Sequence, residues 1–204
     1  MPNHVTNIIE IQNDNISENV IKKMLEQIMN DEQGIGSIDF NKIIPMPDYI
    51  FRGNLGTEER AKFGENNWYD WSISHWGTKW NAYSFGEYED SNSISFQTAW
   101  TAPHPVLQAL SNKFPNITLI HQWADEDIGA NVGKIEYKSG ESINEYYPET
   151  QSKEAYEMAA DIMGVELEDY GLILNDDGTE YEWSDDQDED IDEKDGLQRG
   201  DISL

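Results

Sequence analysis

The chain opens on an alternation. In His4-Val-Thr-Asn-Ile-Ile-Glu-Ile-Gln12, Val5, Ile9 and Ile11 fall on one side and Ile8 on the other, the two-residue period of a strand. The period then lengthens: Val20, Ile21, Met24, Leu25 and Ile28 recur at helical spacing, and Asn15 or Ser17 can cap that helix, which runs to about Asn30. A glycine-containing loop leads to a second apolar run over residues 38–44, expected as a strand closed by Pro45 and Pro47 because proline cannot donate to a ladder. Residues 48–65 are polar and glycine-punctuated, with one short helical turn expected over 57–62.

Residues 66–81 hold four of the seven tryptophans. Asn66 or Asn67 can cap a helix whose Trp68, Trp71, Ser72, His75 and Trp76 share one face, and Gly77 stands where a helix stop favours a left-handed residue. Residues 78–85 then read as a strand. A hairpin loop is expected over 86–92, and Ile94, Phe96, Thr98 and Trp100 alternate with smaller or polar neighbours as a further strand. Pro105 suits the first turn of a helix carrying Val106, Leu107, Leu110 and Phe114 inward. Strands follow over 117–123, 134–138 and 142–146, spaced as an antiparallel meander. After Pro148, a helix over 152–163 carries Tyr156, Ala159, Ala160 and Met163 and ends at Gly164. This order predicts an α+β fold, an antiparallel sheet with helices mainly on one face and a ferredoxin-like, split β-α-β arrangement. The expected organisation is a globular domain over 1–147, a helical and short-strand appendage over 148–183, and an acidic tail over 184–204 expected to be disordered.

Charge sharpens this picture. Of 204 residues, 41 are acidic and 13 are Lys or Arg, a net charge of −28. The excess is uneven: residues 1–140 hold 19 acidic and 10 basic side chains, residues 141–204 hold 22 and 3. Duplex DNA binding through a basic footprint is disfavoured, and partners with a basic surface are favoured. No cysteine is present, which removes disulfides, thiolate metal sites and a cysteine nucleophile. No signal peptide is visible and no apolar run approaches a membrane span, so a cytoplasmic protein is expected, with no cofactor.

Several segments read together carry a resemblance: Met1-Pro-Asn-His-Val-Thr-Asn7, Phe40-Asn-Lys-Ile-Ile-Pro-Met-Pro47, Asn67-Trp-Tyr-Asp-Trp71 and Trp76-Gly-Thr-Lys-Trp-Asn-Ala82, then Phe96-Gln-Thr-Ala-Trp100, Pro103-His-Pro-Val106 and Ala124-Asp-Glu-Asp-Ile-Gly129 with Asn131 and Gly133. Over residues 1–147 the chain resembles the YubB-like proteins of bacteriophages and conjugative plasmids, which are described as ferredoxin-like in part. The resemblance implies an accessory protein of a mobile element in a bacterial cytoplasm. It implies no activity, and the acidic extension lies outside it.

The chemistry-bearing residues allow several readings. Trp68, Trp71, Trp76, Trp80, Trp100 and Trp123 either fill a core or form a platform that stacks bases of single-stranded nucleic acid or anchors a partner. Asp125, Glu126 and Asp127 can be read as a metal-holding turn, or as a solvated turn in which a carboxylate caps backbone N–H groups. His4, His75, His104 and His121 lack any paired metal or catalytic spacing and read as hydrogen-bonding residues. Lys79, alone among the indoles, is expected to pair with Asp70 or with the 125–127 turn.

The tail is the densest charge. Asp185, Asp186, Asp188, Glu189, Asp190, Asp192 and Glu193 form a run that either solvates the chain or competes with DNA for a basic groove. The leading expectation is a non-enzymatic accessory protein that binds a basic-surfaced host or element-encoded protein, in the manner of a DNA mimic or counter-defence inhibitor. Two rivals stand beside it: single-stranded nucleic-acid binding through exposed tryptophans, and a metal-dependent enzyme at Asp125-Glu126-Asp127.

Overall fold

A computed structural model describes residues 2–12, 17–88 and 92–184. The segments are β1 (His4–Gln12), α1 (Glu18–Ile28), α2 (Thr57–Phe63), α3 (Trp68–Trp76), β2 (Ser93–Ala99), α4 (His104–Lys113), β3 (Thr118–Asp125), β4 (Val132–Lys138), β5 (Glu141–Tyr146), α5 (Lys153–Met163), β6 (Leu172–Leu174) and β7 (Tyr181–Trp183).

Five strands form one antiparallel sheet in the order β2-β1-β3-β4-β5. β1 pairs antiparallel with both β2 and β3, so β2-α4-β3 is a split β-α-β unit with β1 inserted at its centre. β3, β4 and β5 continue as the expected meander. The fold is the α+β, ferredoxin-like one.

Alternation along the strands sends side chains to two faces. Val5, Ile9, Ile11, Ile94, Phe96, Leu119 and Trp123 meet Ile21, Met24, Leu25 and Ile28 of α1, Trp71 and Trp76 of α3, and Val106, Leu107 and Leu110 of α4. On the opposite face Ile8, Ala124, Ile128 and Val132 meet Ala155, Tyr156, Ala159 and Ile162 of α5, together with Leu167 and Leu172. Residues 148–183, expected as an appendage, therefore share a core with the sheet, α5 packing on its second face across β1, β3 and β4.

Two expected strands do not form. Residues 38–44 make a short 3-10 turn over Phe40–Lys42. The Asp39 carboxylate accepts from the Asn41 N–H, and the Asn81 amide accepts from the Phe40 N–H. Side chains thus take the groups that a ladder needs. Residues 78–85 run beside β2 but pair with it only at the Tyr83–Gln97 bridge. Higher up the Thr78 hydroxyl stands in for backbone, donating to Ala99 O at 2.8 Å and accepting from Ala99 N at 3.2 Å. The loop expected over 86–92 lies partly outside the described residues.

Candidate functional site

The tryptophan helix forms for the reasons its sequence gives. The Asn67 side chain accepts from the N–H groups of Tyr69 and Asp70, and Gly77 ends α3 at φ +76°. Its indoles then divide. Trp71 and Trp76 are buried in the core, as is Trp123 on β3. Trp76 donates to Ile44 O, and Trp68 to Gly53 O. Trp68 and Trp80 are half-buried, and Trp100 is 39% exposed. Trp68 and Trp80 border an open cleft of about 470 Å³, lined also by Met46, Arg52 and Trp76.

Lys79 is not in the expected ion pair. Its Nζ lies 4.4 Å from the Trp80 ring centre and 4.6 Å from that of Trp100, held between the two indoles by cation–π attraction. Asp70 faces Arg60 instead, at 4.0 Å. Among the described residues, no carboxylate comes within ion-pair reach of Lys79.

The row continues on either side. Tyr69 meets Trp100 edge-on at 6.3 Å, and Arg60 lies 5.3 Å over the Tyr69 ring. Trp80 meets Tyr83 at 6.3 Å, and Tyr83 meets His4 at 5.6 Å. Trp100 is held with φ +73°, a left-handed conformation that costs a bulky residue roughly 1–2 kcal/mol. Its N–H donates to Asn3 O. The row draws on α2, α3, the end of β2 and the segment that bridges Gln97.

The Asp125–Asp127 turn is built around one buried carboxylate. Asp125 Oδ1 accepts from Asn3 Nδ2 and from the Asp127 N–H, both at 3.0 Å, while Glu126 and Asp127 point outward. This geometry caps a turn. Among the described residues, no group of three or more His, Asp or Glu side chains is gathered as a metal site.

His104 and His121 belong to a polar seam at the first core, whereas His75 is exposed on α3 and His4 Nδ1 meets the Tyr83 hydroxyl at 2.7 Å. His121 is fully buried and shares its Nε2 hydrogen with Asn7 Oδ1 at 3.0 Å. The Asn7 amide donates to Val5 O and the Thr98 hydroxyl. His121 Nδ1 has no partner, which suits a neutral ring with the proton on Nε2. Burial, then the neighbouring His104, holds the His121 pKa well below the ordinary histidine value. His104 is lowered chiefly by burial, and its Nδ1 lies 3.0 Å from the Tyr137 hydroxyl, whose own pKa burial pushes up. His121, Asn7 and Thr98 are closed off from solvent, while His104 is half-buried.

The second layer carries the charge. Residues 148–184 hold eleven carboxylates, all exposed, and one lysine, Lys153, which lies 3.8 Å from Glu157. The β6-β7 hairpin at its end exposes Ile173, Leu174 and Trp183, the last at 57%. Asp176, Asp177 and Glu182 border the same concavity as these three. Sequence reading did not single out this hairpin, although Tyr181-Glu-Trp183 alternates beside a turn. The tail residues Asp185, Asp186, Asp188, Glu189, Asp190, Asp192 and Glu193 lie outside the described residues.

Residues 75–166 match the family model described as the ferredoxin-like domain in Api92-like protein. Among solved structures, the protein api92 from Yersinia pseudotuberculosis is similar at 17% identity and a TM-score of 0.41, over 57% of this chain and 42% of that one. This chain therefore spans less than half the length of that protein. A search of curated proteins found no match.

Proposed function

We propose that the protein is a non-enzymatic binding module that engages a partner's basic surface through its acidic second layer. The observation that carries this reading is the charge of that layer, eleven exposed carboxylates against a single lysine, around the exposed Trp183, Ile173 and Leu174. Carboxylates set long-range attraction and choice of partner, while an exposed indole among apolar neighbours is the kind of side chain that anchors an interface. The acidic run from Asp185 onward continues the same charge along the chain and lengthens the track offered to a cationic groove. A groove that ordinarily holds DNA fits such a track, so the protein acts as a DNA mimic.

The likeness to YubB-like proteins gives this reading its setting. A phage or plasmid accessory protein in the bacterial cytoplasm has reason to occupy a host nuclease or repressor, which makes counter-defence the natural role. Capture from bacterial lysate, with the full chain compared to the quadruple variant Asp176→Lys, Asp177→Lys, Glu180→Lys, Glu182→Lys, tests the proposal. The full chain retains a basic-surfaced partner that duplex DNA competes away, and the variant does not. Equal capture by both, or indifference to DNA, refutes it.

A further inference from the structure

We infer that the row Arg60, Tyr69, Trp100, Lys79, Trp80 and Tyr83 is a second binding site, separate from the acidic layer, and that its ligand is a single strand of nucleic acid. Three independent features converge on it.

The first is the alternation itself. Cations and rings succeed one another without a break: Arg60 over Tyr69 at 5.3 Å, Lys79 between Trp100 at 4.6 Å and Trp80 at 4.4 Å, and Tyr83 beyond at 6.3 Å. The rings meet at 85° and 60° rather than face to face, so they are not spent on stacking against each other. Single-strand sites combine these two ingredients, cations for phosphates and flat rings for bases.

The second is Lys79. It is half-buried, it lies against two indoles, and among the described residues it meets no carboxylate, in a chain of net charge −28. With 41 acidic residues available, a cation left without one is placed for a counter-charge that comes from elsewhere. The Arg52 guanidinium borders the cleft that Trp80 also lines and extends the same polarity.

The third is backbone strain at Trp100. Its φ of +73° is a conformation that a bulky side chain leaves unless its surroundings enforce it, and strain of this kind gathers at ligand sites. Here it turns an indole outward, 39% exposed, where a core role would have turned it in.

The occupant follows from these features together. A cationic ligand would have to displace Lys79 from its clamp. A neutral sugar brings no charge to meet the ammonium. Duplex DNA keeps its base faces inside the stack, out of reach of the rings. A single strand offers both a phosphate for Lys79 and an unstacked base for Trp80 or Trp100. Stacking takes place on this row, which runs from α2 and α3 to the end of β2 and the segment paired with Gln97.

The test is fluorescence anisotropy of a labelled single-stranded oligothymidine, and of a duplex of equal length, titrated with the full chain at low salt. Trp100→Gly removes the indole and places at φ +73° the residue most at ease there, so the fold is kept. Lys79→Met keeps the aliphatic stem and removes the charge. Trp183→Ala removes an exposed indole outside the row. The single strand binds and the duplex binds more weakly. Trp100→Gly and Lys79→Met each weaken single-strand binding by roughly fivefold or more, and Trp183→Ala leaves it unchanged. Absence of single-strand binding, equal binding of duplex, or full binding by Trp100→Gly overturns the inference. So does a gain in affinity of Lys79→Met for a tetramethylammonium probe, which would make the clamp a cation receptor.

Discussion

The Lys79 ammonium lies 4.6 Å from the ring centre of Trp100, an indole held at φ +73° and 39% exposed. One cation thus joins the segment after α3 to the end of β2, beyond the backbone bonds that Tyr83 makes with Gln97 and Gly86 with Ser95. Each exposed cation–π contact contributes about 0.5–1 kcal/mol, so Lys79→Met is expected to lower stability by about 1 kcal/mol. Urea denaturation measures this, and an unchanged midpoint would show that the clamp contributes nothing.

Gly133 is a stricter constraint. A Cβ there would fall 2.5 Å from Cζ2 of Trp123, whose ring lies over that glycine from the neighbouring strand and whose Nε1 donates to Asn131 Oδ1 at 3.0 Å. Gly133→Ala forces the indole aside, and overpacking of this kind costs about 1–3 kcal/mol. Thermal denaturation should show the loss, accompanied by a change in near-ultraviolet circular dichroism as the indole reorients.

Acid should weaken the core seam. His121 is held neutral by burial, its folded pKa well below the ordinary 6.5, so the unfolded chain takes up a proton that the folded one refuses. Stability contributed by the neutral ring is complete above the ordinary histidine pKa. It falls as pH drops below that value, with a slope of up to about 1.4 kcal/mol per pH unit. Protonation of the many carboxylates relieves repulsion over a lower range, so the quantity to measure is the difference between the protein and His121→Gln. That difference should shrink between pH 7 and pH 5, about the range in which histidine titrates; a constant difference would contradict a neutral buried His121.

Helix α5 should be indispensable to the fold. Its Ala155 and Ala159 are fully buried against the sheet, and Tyr156 sits 2.5 Å from where a Gly129 side chain would begin. Removing residues 148–184 uncovers Ile8, Ala124, Ile128 and Val132 together. The shortened chain is expected to bind a hydrophobic dye and to self-associate on size exclusion. A monodisperse, cooperatively unfolding product would mean that the second layer is dispensable.

Local sequence grammar carried much of this architecture. Asn67 and Gly77 bracket α3, Ser152 and Gly164 bracket α5, and the alternation of Val5, Ile9 and Ile11 against Ile8 assigns both faces of β1. What was illegible depends on distant partners. Nothing local in residues 38–44 announces that Asn81, far along the chain, will take the Phe40 N–H, or that the Thr78 hydroxyl will replace a ladder bond. The small stripe of α5 says that it packs, not on which face of the sheet. The tryptophans show the same limit. Trp71 and Trp76 share a helical face with Trp68, yet only the tertiary setting leaves Trp68 and Trp80 half open and turns Trp100 outward.

The central claim is that charge in the second layer drives partner binding, and its most direct test is the salt dependence of affinity for the captured partner. Measured by calorimetry, the full chain should lose affinity steeply and log-linearly with rising salt. The variant Asp176→Lys, Asp177→Lys, Glu180→Lys, Glu182→Lys should bind more weakly and with a shallower slope. Affinity that is indifferent to salt and unchanged in the variant would contradict the account.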